Sequence, residues 1–234
     1  MSVLKNDIAA FIDLDNTLYT KFLWQALFTH HRINRFKRLA LVRFVVFHFP
    51  LWQLVRVGLI PGDLFYRINA TNLAWLIGGV QIERAERIWD WIIDYEILPN
   101  LRPEMKIVIE NHQTQAHRVI MISGSFTPLL NKLTVRLGLE CAIATPLVVK
   151  DGHYTGKIIP PLNIGQGKVE RLLCFLNGRG KEIDLERSYF YTDSFVDVPV
   201  LEMFGNPVAV YPDESLVALA AERGWTVIGG DDLA

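Results

Sequence analysis

Cysteine is scarce in this sequence, and no cluster of cysteine and histidine has the spacing of a zinc site. Cys141 and Cys174 are its two cysteines, and each lies in an apolar segment. They are typical of core thiols in a reduced compartment and do not form a disulfide framework. The first residues contain no long apolar run, so we expect no signal peptide. We therefore expect a cytoplasmic protein.

The sequence also lacks internal repeats, low-complexity segments and a strong net charge. Its 24 basic and 25 acidic residues give a net charge of −1. Half of the residues are hydrophobic, which supports a sizeable core and argues against disorder. A chain of 234 residues fits one domain with a large insertion, or two small domains.

The charges are distributed unevenly along the chain. Residues 20–70 contain eight basic residues and one acidic residue, Asp63, so their local net charge is +7 and the remainder carries −8. The basic residues are Lys21, Arg32, Arg35, Lys37, Arg38, Arg43, Arg56 and Arg67. A basic segment in an otherwise acidic protein indicates that this part meets anions.

Residues 39–60 are almost continuously apolar and have the composition of a membrane span. The polar and helix-breaking residues that interrupt them are Arg43, His48, Pro50, Gln53 and Arg56. An arginine at the centre of a bilayer costs at least ~2.5 kcal/mol, and proline breaks a helix interior. We therefore predict two helices that meet near Pro50 and are buried in a helical bundle. An interfacial surface that touches a membrane is the alternative.

The rest of the chain alternates between strand and helix patterns. The apolar run 8–12 predicts a short buried strand, and from residue 101 onward strands and helices follow one another. This order predicts an α/β fold with a Rossmann-like, doubly wound parallel sheet. The helical patterns between the first strand and residue 98 predict an all-helical insertion. We expect a core of residues 1–19 plus 99–234 and a helical cap of residues 20–98.

Polar residues follow three of the predicted strands where each strand ends. These sets are Asp13 with Asp15, Ser123 with Gly124, and Asp193 with Asp197. Parallel sheets of this kind bind ligands at the carboxyl ends of their strands, so the three sets are expected to form one site. Two carboxylates one residue apart suit phosphoryl transfer, with Asp13 as the nucleophile and Asp15 as the acid that protonates the leaving oxygen. The alternative for Asp13 and Asp15 is a simple Asx-type turn.

Ser123, Gly124 and Lys168 are the candidate phosphate ligands. Ser123 offers a hydroxyl and Gly124 a backbone N–H, although a simple loop is the alternative for both. Lys168 begins a predicted helix, where the helix dipole disfavours a cation. A bound phosphate reverses that balance, because a charge pair at 4 Å gains roughly 4 kcal/mol at an effective dielectric near 20. The alternative is a solvated lysine in a glycine-rich loop, and the spacing is not that of a Walker loop.

Asp193 and Asp197 follow the predicted strand 188–192. Asp193 is placed to reach a metal ion, and Mg²⁺ prefers a few carboxylate oxygens together with phosphate and water. Asp197 could hold Lys168 or a metal-bound water, or it could be a helix cap just before Pro199.

These residues, in this order, resemble the four motifs of the haloacid dehalogenase superfamily. The first motif is Asp13-Leu14-Asp15-Asn16-Thr17, and Ser123, Lys168 and Asp193 with Asp197 match the others. The helical insertion directly after the first motif is similar to subclass IB, the phosphoserine-phosphatase-like branch. The similarity covers the segment from residue 98 to the end but little of the insertion.

The resemblance implies roles for the matched residues. Asp13 would be the nucleophile and a metal ligand, and Asp15 the general acid and base that binds Mg²⁺ through its backbone carbonyl. Asp193 would complete the metal site. Ser123, Gly124 and Lys168 would hold the phosphate, and Thr17 would fix the turn beside the substrate. The sequence departs from phosphoserine phosphatases at two positions, where Phe22 replaces an acidic residue and Val196 replaces an asparagine, so phosphoserine is a poor candidate substrate.

The sequence therefore predicts a Mg²⁺-dependent phosphomonoester phosphatase that acts through an aspartyl-phosphate on a small organic phosphate. Lipid phosphates and sugar or histidinol-type phosphates both stay open as substrates. A phosphotransferase, a lipid-phosphate phosphatase at a membrane surface and a non-catalytic binding protein are the alternatives. We expect a small-molecule phosphate ester as partner and no nucleic acid. Contact with a membrane is the alternative that we do not favour.

Overall fold

A short central strand organises the sheet of the computed structural model, which describes residues 7–229. The strands of this sheet are β1 (Ala9–Ile12), β2 (Arg118–Phe126), β3 (Cys141–Thr145), β6 (Tyr189–Thr192), β7 (Asn206–Val210) and β8 (Thr226–Ile228). They run parallel in the order β3-β2-β1-β6-β7-β8. The remaining two strands, β4 (Leu147–Lys150) and β5 (His153–Ile158), form an antiparallel hairpin. The predicted α/β fold is confirmed.

Both faces of β1 are covered, which explains why its sequence is apolar without alternation. Ala10 and Ile12 belong to the hydrophobic cluster on one side of the sheet. Ala9 and Phe11 belong to the cluster on the other side, where the Phe11 ring lies 5.2 Å from that of Phe204. All four residues are fully buried, so the strand ends in a rigid position directly before Asp13.

Nine α-helices lie among the described residues. They are α1 (Leu23–Ile33), α2 (Arg38–Arg56), α3 (Gly62–Asn72), α4 (Ile82–Ile92), α5 (Pro103–Thr114), α6 (Thr127–Leu137), α7 (Gln166–Leu176), α8 (Val198–Leu201) and α9 (Glu214–Arg223). The first four occupy the predicted insertion. The division into a core of residues 1–19 and 99–234 and a cap of residues 20–98 stays a proposal, and residues 1–6 and 230–234 lie outside the described range.

The chain leaves the core and returns to it at one joint. Tyr19 and Leu101 form an antiparallel bridge there. The backbone N–H of Thr20 donates to the carbonyl of Asn100 at 3.0 Å, and that of Arg102 donates to the carbonyl of Leu18 at 2.9 Å. The two ends of the helical insertion are therefore fastened to each other.

The prediction of two helices that meet at Pro50 is wrong, because α2 runs unbroken from Arg38 to Arg56 with Pro50 inside it. A proline at this position removes the N–H that would bond the carbonyl of Val46, four residues earlier. Val46 lies on the exposed side of the helix, with 66% of its surface accessible, so its carbonyl can find another donor. The cost of the proline is thus low enough for the helix to continue.

The predicted burial of residues 39–60 is wrong as well. Of the residues in α2, Phe44 and His48 are buried, while most others are half or fully exposed. Helices α1 and α3 and the 3₁₀ turn Leu73–Leu76 cover one side of α2. Within residues 7–229, α2 is also the helix that is long and apolar enough to cross a membrane, by length and composition alone.

A smaller correction concerns the end of β2. The sequence predicts that Ser123 and Gly124 follow the end of this strand, but the strand continues to Phe126. Its pairing with β3 shifts register between Ile122 and Phe126. The irregular segment holds Ser123 and Gly124 at the edge of the sheet while the chain proceeds directly into α6.

Candidate active site

One cavity of about 260 Å³ lies at the carboxyl end of the sheet and collects most of the predicted site residues. The predicted residues that line it are Asp13, Asp15, Ser123, Gly124, Lys168, Asp193 and Asp197. Thr17 is the exception, since it lies behind Asp193 rather than on the cavity wall. The cavity thus brings together residues from β1, β2, α7 and the loop after β6. This is expected because parallel strands bring their carboxyl ends to the same edge of the sheet.

Asp13 is the first residue after β1, and its backbone N–H donates to the carbonyl of Tyr191 at 3.0 Å. Its side chain is buried and both carboxylate oxygens accept hydrogen bonds. Oδ1 accepts from the backbone N–H of Leu14 at 2.8 Å, and Oδ2 accepts from Nζ of Lys168 at 3.1 Å. Burial raises the pKa of Asp13 above its ordinary value, although the charge of Lys168 opposes that rise.

Lys168 lies in the first turn of α7 and is 1% exposed, so it is not a solvated lysine. Its Nζ donates to Asp13 and, at 2.5 Å, to Oδ2 of Asp197. Burial lowers the pKa of Lys168, but the two carboxylates raise it more, so the pKa lies above its ordinary value. Lys168 is therefore a permanent cation in the wall of the cavity.

Asp197 fixes the position of Lys168. Its Oδ2 also accepts from Oγ1 of Thr192 at 3.0 Å, and its Oδ1 accepts from the backbone N–H of Gly165 at 3.2 Å. Asp197 stands at the start of α8 but makes no side-chain capping bond there, so the helix-cap alternative is wrong. The loop before α7 packs closely against the first turn of that helix because Gly167 has no side chain. A Cβ at Gly167 would meet the carbonyl oxygen of Leu162 at 2.0 Å.

Asp15 connects the core to the first helix of the insertion. Its Oδ1 accepts from the backbone N–H of Leu23, the first residue of α1, at 2.8 Å. Its Oδ2 accepts from Oγ of Ser125 at 3.0 Å. Burial, and after it the charge of Asp13, raise the pKa of Asp15 to about 7. A carboxyl group with this pKa can donate and accept a proton near neutrality.

Asp193 is held by the turn that follows Asp15. Its two carboxylate oxygens accept from Nδ2 of Asn16 at 2.8 Å and from Oγ1 of Thr17 at 3.2 Å. Asn16 has a φ of +53°, a left-handed conformation that asparagine tolerates better than most residues. Burial, and after it the charge of Asp13, raise the pKa of Asp193 to about 7.

Ser123 and Gly124 form the part of the cavity wall that β2 contributes. Gly124 must be glycine, because a Cβ there would approach Cγ1 of Ile164 to 2.9 Å. Asn163 supports this segment, since its Nδ2 donates to the carbonyls of Ser123 at 2.7 Å and Ile143 at 2.8 Å. The backbone at Ser123 is thereby fixed from behind.

Sequence reasoning missed Ser125, Asn16 and Asn163. Ser125 lies two residues beyond Ser123 on a strand, which places both on the same face and was a usable indication. Asn163 could not be found in the same way, because its contacts come from segments 18 to 40 residues away.

The cavity has more negative than positive charge. Four carboxylates line it, and Lys168 is the cationic side chain among its lining residues. The raised pKa values of Asp13, Asp15 and Asp193 reflect burial and this crowding. Among residues 7–229, no three His, Cys, Asp or Glu side chains already converge as a set of metal ligands. The carboxylate oxygens that line the cavity suit Mg²⁺, which keeps several waters and takes one or two carboxylates from the protein.

Comparison with known proteins identifies the family. The model of the family described as haloacid dehalogenase-like hydrolase matches residues 10–202. The chain belongs to this family. A histidinol-phosphatase of Neisseria meningitidis serogroup C (strain 8013) is 32% identical over 173 residues, which cover 73% of this chain and 76% of that protein.

Solved structures of other proteins share the fold. A protein of unknown function from Bordetella pertussis Tohama I superposes with a TM-score of 0.78 at 26% identity, covering 95% of this chain and 97% of the other. A phosphoserine phosphatase solved as an analogue of its phospho-aspartyl intermediate has a TM-score of 0.63 at 20% identity, covering 98% of this chain and 96% of that one. The predicted family and the enzyme class, phosphoric monoester hydrolase, are confirmed.

Proposed function

We propose that this protein is a Mg²⁺-dependent phosphatase that hydrolyses a small organic phosphomonoester through an aspartyl-phosphate on Asp13. The observation that carries the proposal is the placement of Asp13. It stands at the tip of a fully buried strand, with Lys168 at 3.1 Å from one carboxylate oxygen and Asp15 beside it in the same cavity.

In the first half of the reaction, the carboxylate of Asp13 attacks the phosphorus atom and the bond to the ester oxygen breaks. Asp15 gives its proton to that leaving oxygen, and its pKa of about 7 leaves the proton available near neutrality. In the second half, Asp15 accepts a proton from the water that attacks the aspartyl-phosphate, and Asp13 is regenerated.

The other cavity residues hold the phosphoryl group. The ammonium of Lys168, the hydroxyl of Ser123 and the backbone N–H of Gly124 offer donors to its oxygens. The residues that would hold Mg²⁺ are Asp13 and Asp193 through their carboxylates and Asp15 through its backbone carbonyl. When bound, Mg²⁺ neutralises part of the negative charge of the carboxylates and the phosphate.

The side of the cavity that the insertion forms, where the organic part of the substrate would lie, is apolar. Its wall includes Phe22, Leu23, Tyr66 and Leu73 from the insertion. No acidic side chain stands at position 22, so the ammonium of phosphoserine lacks a partner there. The similarity to a histidinol-phosphatase adds histidinol phosphate to the substrates worth testing.

Metal dependence tests the proposal. We expect para-nitrophenyl phosphate to be hydrolysed with Mg²⁺, hydrolysis to stop with EDTA and excess Mg²⁺ to restore it. Asp193→Ala should raise the Mg²⁺ concentration needed for half-maximal rate at least about tenfold, because one of two carboxylate ligands is lost. Full activity in metal-free buffer contradicts the assignment. Added glycerol should leave the yield of free phosphate unchanged, whereas a phosphotransferase would form glycerol phosphate.

Ser125→Ala tests how Asp15 is positioned. The substitution removes the hydroxyl donor from Oδ2 of Asp15 and leaves the bond from Leu23 in place. A hydrogen bond to a charged group contributes about 1.5 kcal/mol, so we expect kcat to fall about tenfold while KM stays within twofold. Steady-state kinetics with para-nitrophenyl phosphate measure both constants. An unchanged kcat rules out this role for Ser125, and Ser215→Ala, at an exposed residue of α9 away from the cavity, is the control.

A further inference from the structure

Apolar side chains occupy most of the surface of α2, yet protein covers only one side of the helix. Phe44 and His48 face the other helices of the insertion and are buried. The opposite side, which we call the outward face of α2, consists of Leu39, Val42, Val45, Val46 and Phe49. These residues are 47% to 85% exposed. A helix that is apolar on all sides normally lies in a protein core or in contact with a membrane.

Exposed basic side chains lie on α2 and on the segments before and after it. Arg38 and Arg56 stand at its two ends, and Arg32, Arg35, Arg43 and Arg67 lie on α2 and its neighbouring segments. All six are exposed. Within residues 7–229, none of the six lies within 4 Å of a carboxylate. An apolar face with arginines at its ends and tryptophan nearby is typical of helices that lie in the interface of an anionic membrane.

The connections of α2 are short and hold the helix against its neighbours, an arrangement that suits a helix lying on a surface better than one that crosses a membrane. The segment between α1 and α2 has four residues, 34–37, and the segment between α2 and α3 has five, 57–61. Both α1 and α3 pack against α2, and His48 bonds Asn72 at the end of α3 at 3.3 Å. Both ends of α2 are therefore held on the same side, against the same body.

An apolar groove of about 330 Å³ leads from the outward face toward the active site. Phe28, Phe44 and Phe65 line its inner part, while Phe49 and Trp52, which are 55% and 42% exposed, stand at its open edge. Trp24 and Asn69 line both this groove and the active-site cavity. The two spaces are thus neighbours, and an apolar chain can occupy one while a phosphate occupies the other.

We propose that the outward face of α2 docks this protein on an anionic lipid bilayer, and that its substrate is an amphiphilic phosphomonoester whose apolar chain lies in the groove. This inference rests on the proposed phosphatase function. Charge complementarity selects the occupant: the six arginines match anionic headgroups, and the apolar face between them matches the acyl region just below. For residues 39–60, the sequence left an interfacial surface as the alternative to a buried bundle core. This proposal adopts the interfacial surface.

Vesicle flotation of the full chain tests the docking. At physiological salt we expect the protein to float with vesicles of phosphatidylcholine containing 30% phosphatidylglycerol, and far less with phosphatidylcholine alone. Val42→Glu combined with Val46→Glu should reduce flotation at least tenfold, because both charges fall in the middle of the outward face. The matched control is Ile107→Glu with Val135→Glu, at exposed apolar residues of α5 and α6, and should float like the parent.

Several results would overturn the docking proposal. One is equal flotation with neutral vesicles and another is undiminished flotation of the Val42→Glu, Val46→Glu variant. A third is a dimer in light scattering that the same variant converts to a monomer, which would assign the outward face to a second copy of the chain.

A substrate comparison tests the groove separately. Lysophosphatidate below its micellar concentration should have a KM at least tenfold lower than glycerol 3-phosphate, and Trp52→Ser should raise the KM of the lipid but not that of glycerol 3-phosphate. Equal KM values would overturn the groove assignment. Hydrolysis of para-nitrophenyl phosphate by the Val42→Glu, Val46→Glu variant should match the parent. If the parent hydrolyses no ester at all, the proposed function fails first, and flotation still reports on the docking face.

Discussion

Asp13→Asn is expected to lower the turnover of every phosphomonoester by about 10⁴-fold or more, because an amide cannot take up the phosphoryl group. The exchange of a carboxylate oxygen for an NH₂ group keeps the size of the side chain. It also removes one negative charge from a cavity in which four carboxylates face one lysine. The folded state should therefore keep its melting temperature within a few degrees. Single-turnover kinetics and a thermal melt of the same preparation measure the two effects.

The control for this variant is Asp151→Asn, at an exposed residue in the turn of the β4–β5 hairpin. Its left-handed φ of +49° suits asparagine, so both activity and stability should match the parent. Residual turnover of Asp13→Asn above one tenth of the parent rate would falsify the role of Asp13 as nucleophile. Trapping with a phosphate analogue such as beryllium fluoride should give a complex with the parent and none with the variant.

Lys168→Met is expected to abolish measurable hydrolysis and also to destabilise the fold. The ammonium of Lys168 bridges Asp13 and Asp197 in a buried position, so its removal leaves two buried carboxylates without a cation. Loss of one partner of a buried ion pair costs about 3–5 kcal/mol. Denaturant unfolding with EDTA present, compared with the parent protein, measures this difference in free energy.

The loss of stability in Lys168→Met should depend on pH. Burial raises the pKa of Asp13, and the variant loses the ammonium of Lys168 that opposes this rise. The folded state of the variant therefore binds a proton at Asp13 more readily than the unfolded chain does, so stability falls as pH rises. The difference between variant and parent should consequently be smaller at pH 5.5 than at pH 7.5. Lys181→Met, at an exposed lysine, is the control and should change neither activity nor stability. A stable and active Lys168→Met enzyme would rule out the place given to this lysine.

Much of the fold follows from local patterns in the sequence. The apolar run before Asp13 has only one arrangement that buries both of its sides, which is the middle of a parallel sheet covered by helices. Gly138 marks the end of α6 with a φ of +63°, as a helix-terminating glycine should. The positions of Asp13 and Asp193 just after their strands then follow, because parallel strands bring their carboxyl ends to one edge, and Ser123 reaches the same edge from the irregular segment of β2.

The sequence could not show which surfaces meet. Residues 39–60 were interpreted as bundle core because their composition is that of a buried helix, and composition does not reveal what covers a helix. Pro50 misled the prediction for a related reason: its cost depends on whether the carbonyl of Val46 is enclosed, and this carbonyl lies on the exposed side. The burial of Lys168 and the contacts of Asn163 likewise depend on residues distant in the chain.

The joint at Tyr19 and Leu101 has a consequence for how enzymes of this design diversify. The chain departs and returns at two adjacent points that hydrogen-bond to each other, so the segment between them begins and ends at a closed base. Such a segment can be lengthened, shortened or exchanged without a new path for β1 or α5. The one requirement on a changed segment is that it still begins with a backbone N–H placed to bond Asp15, as that of Leu23 does.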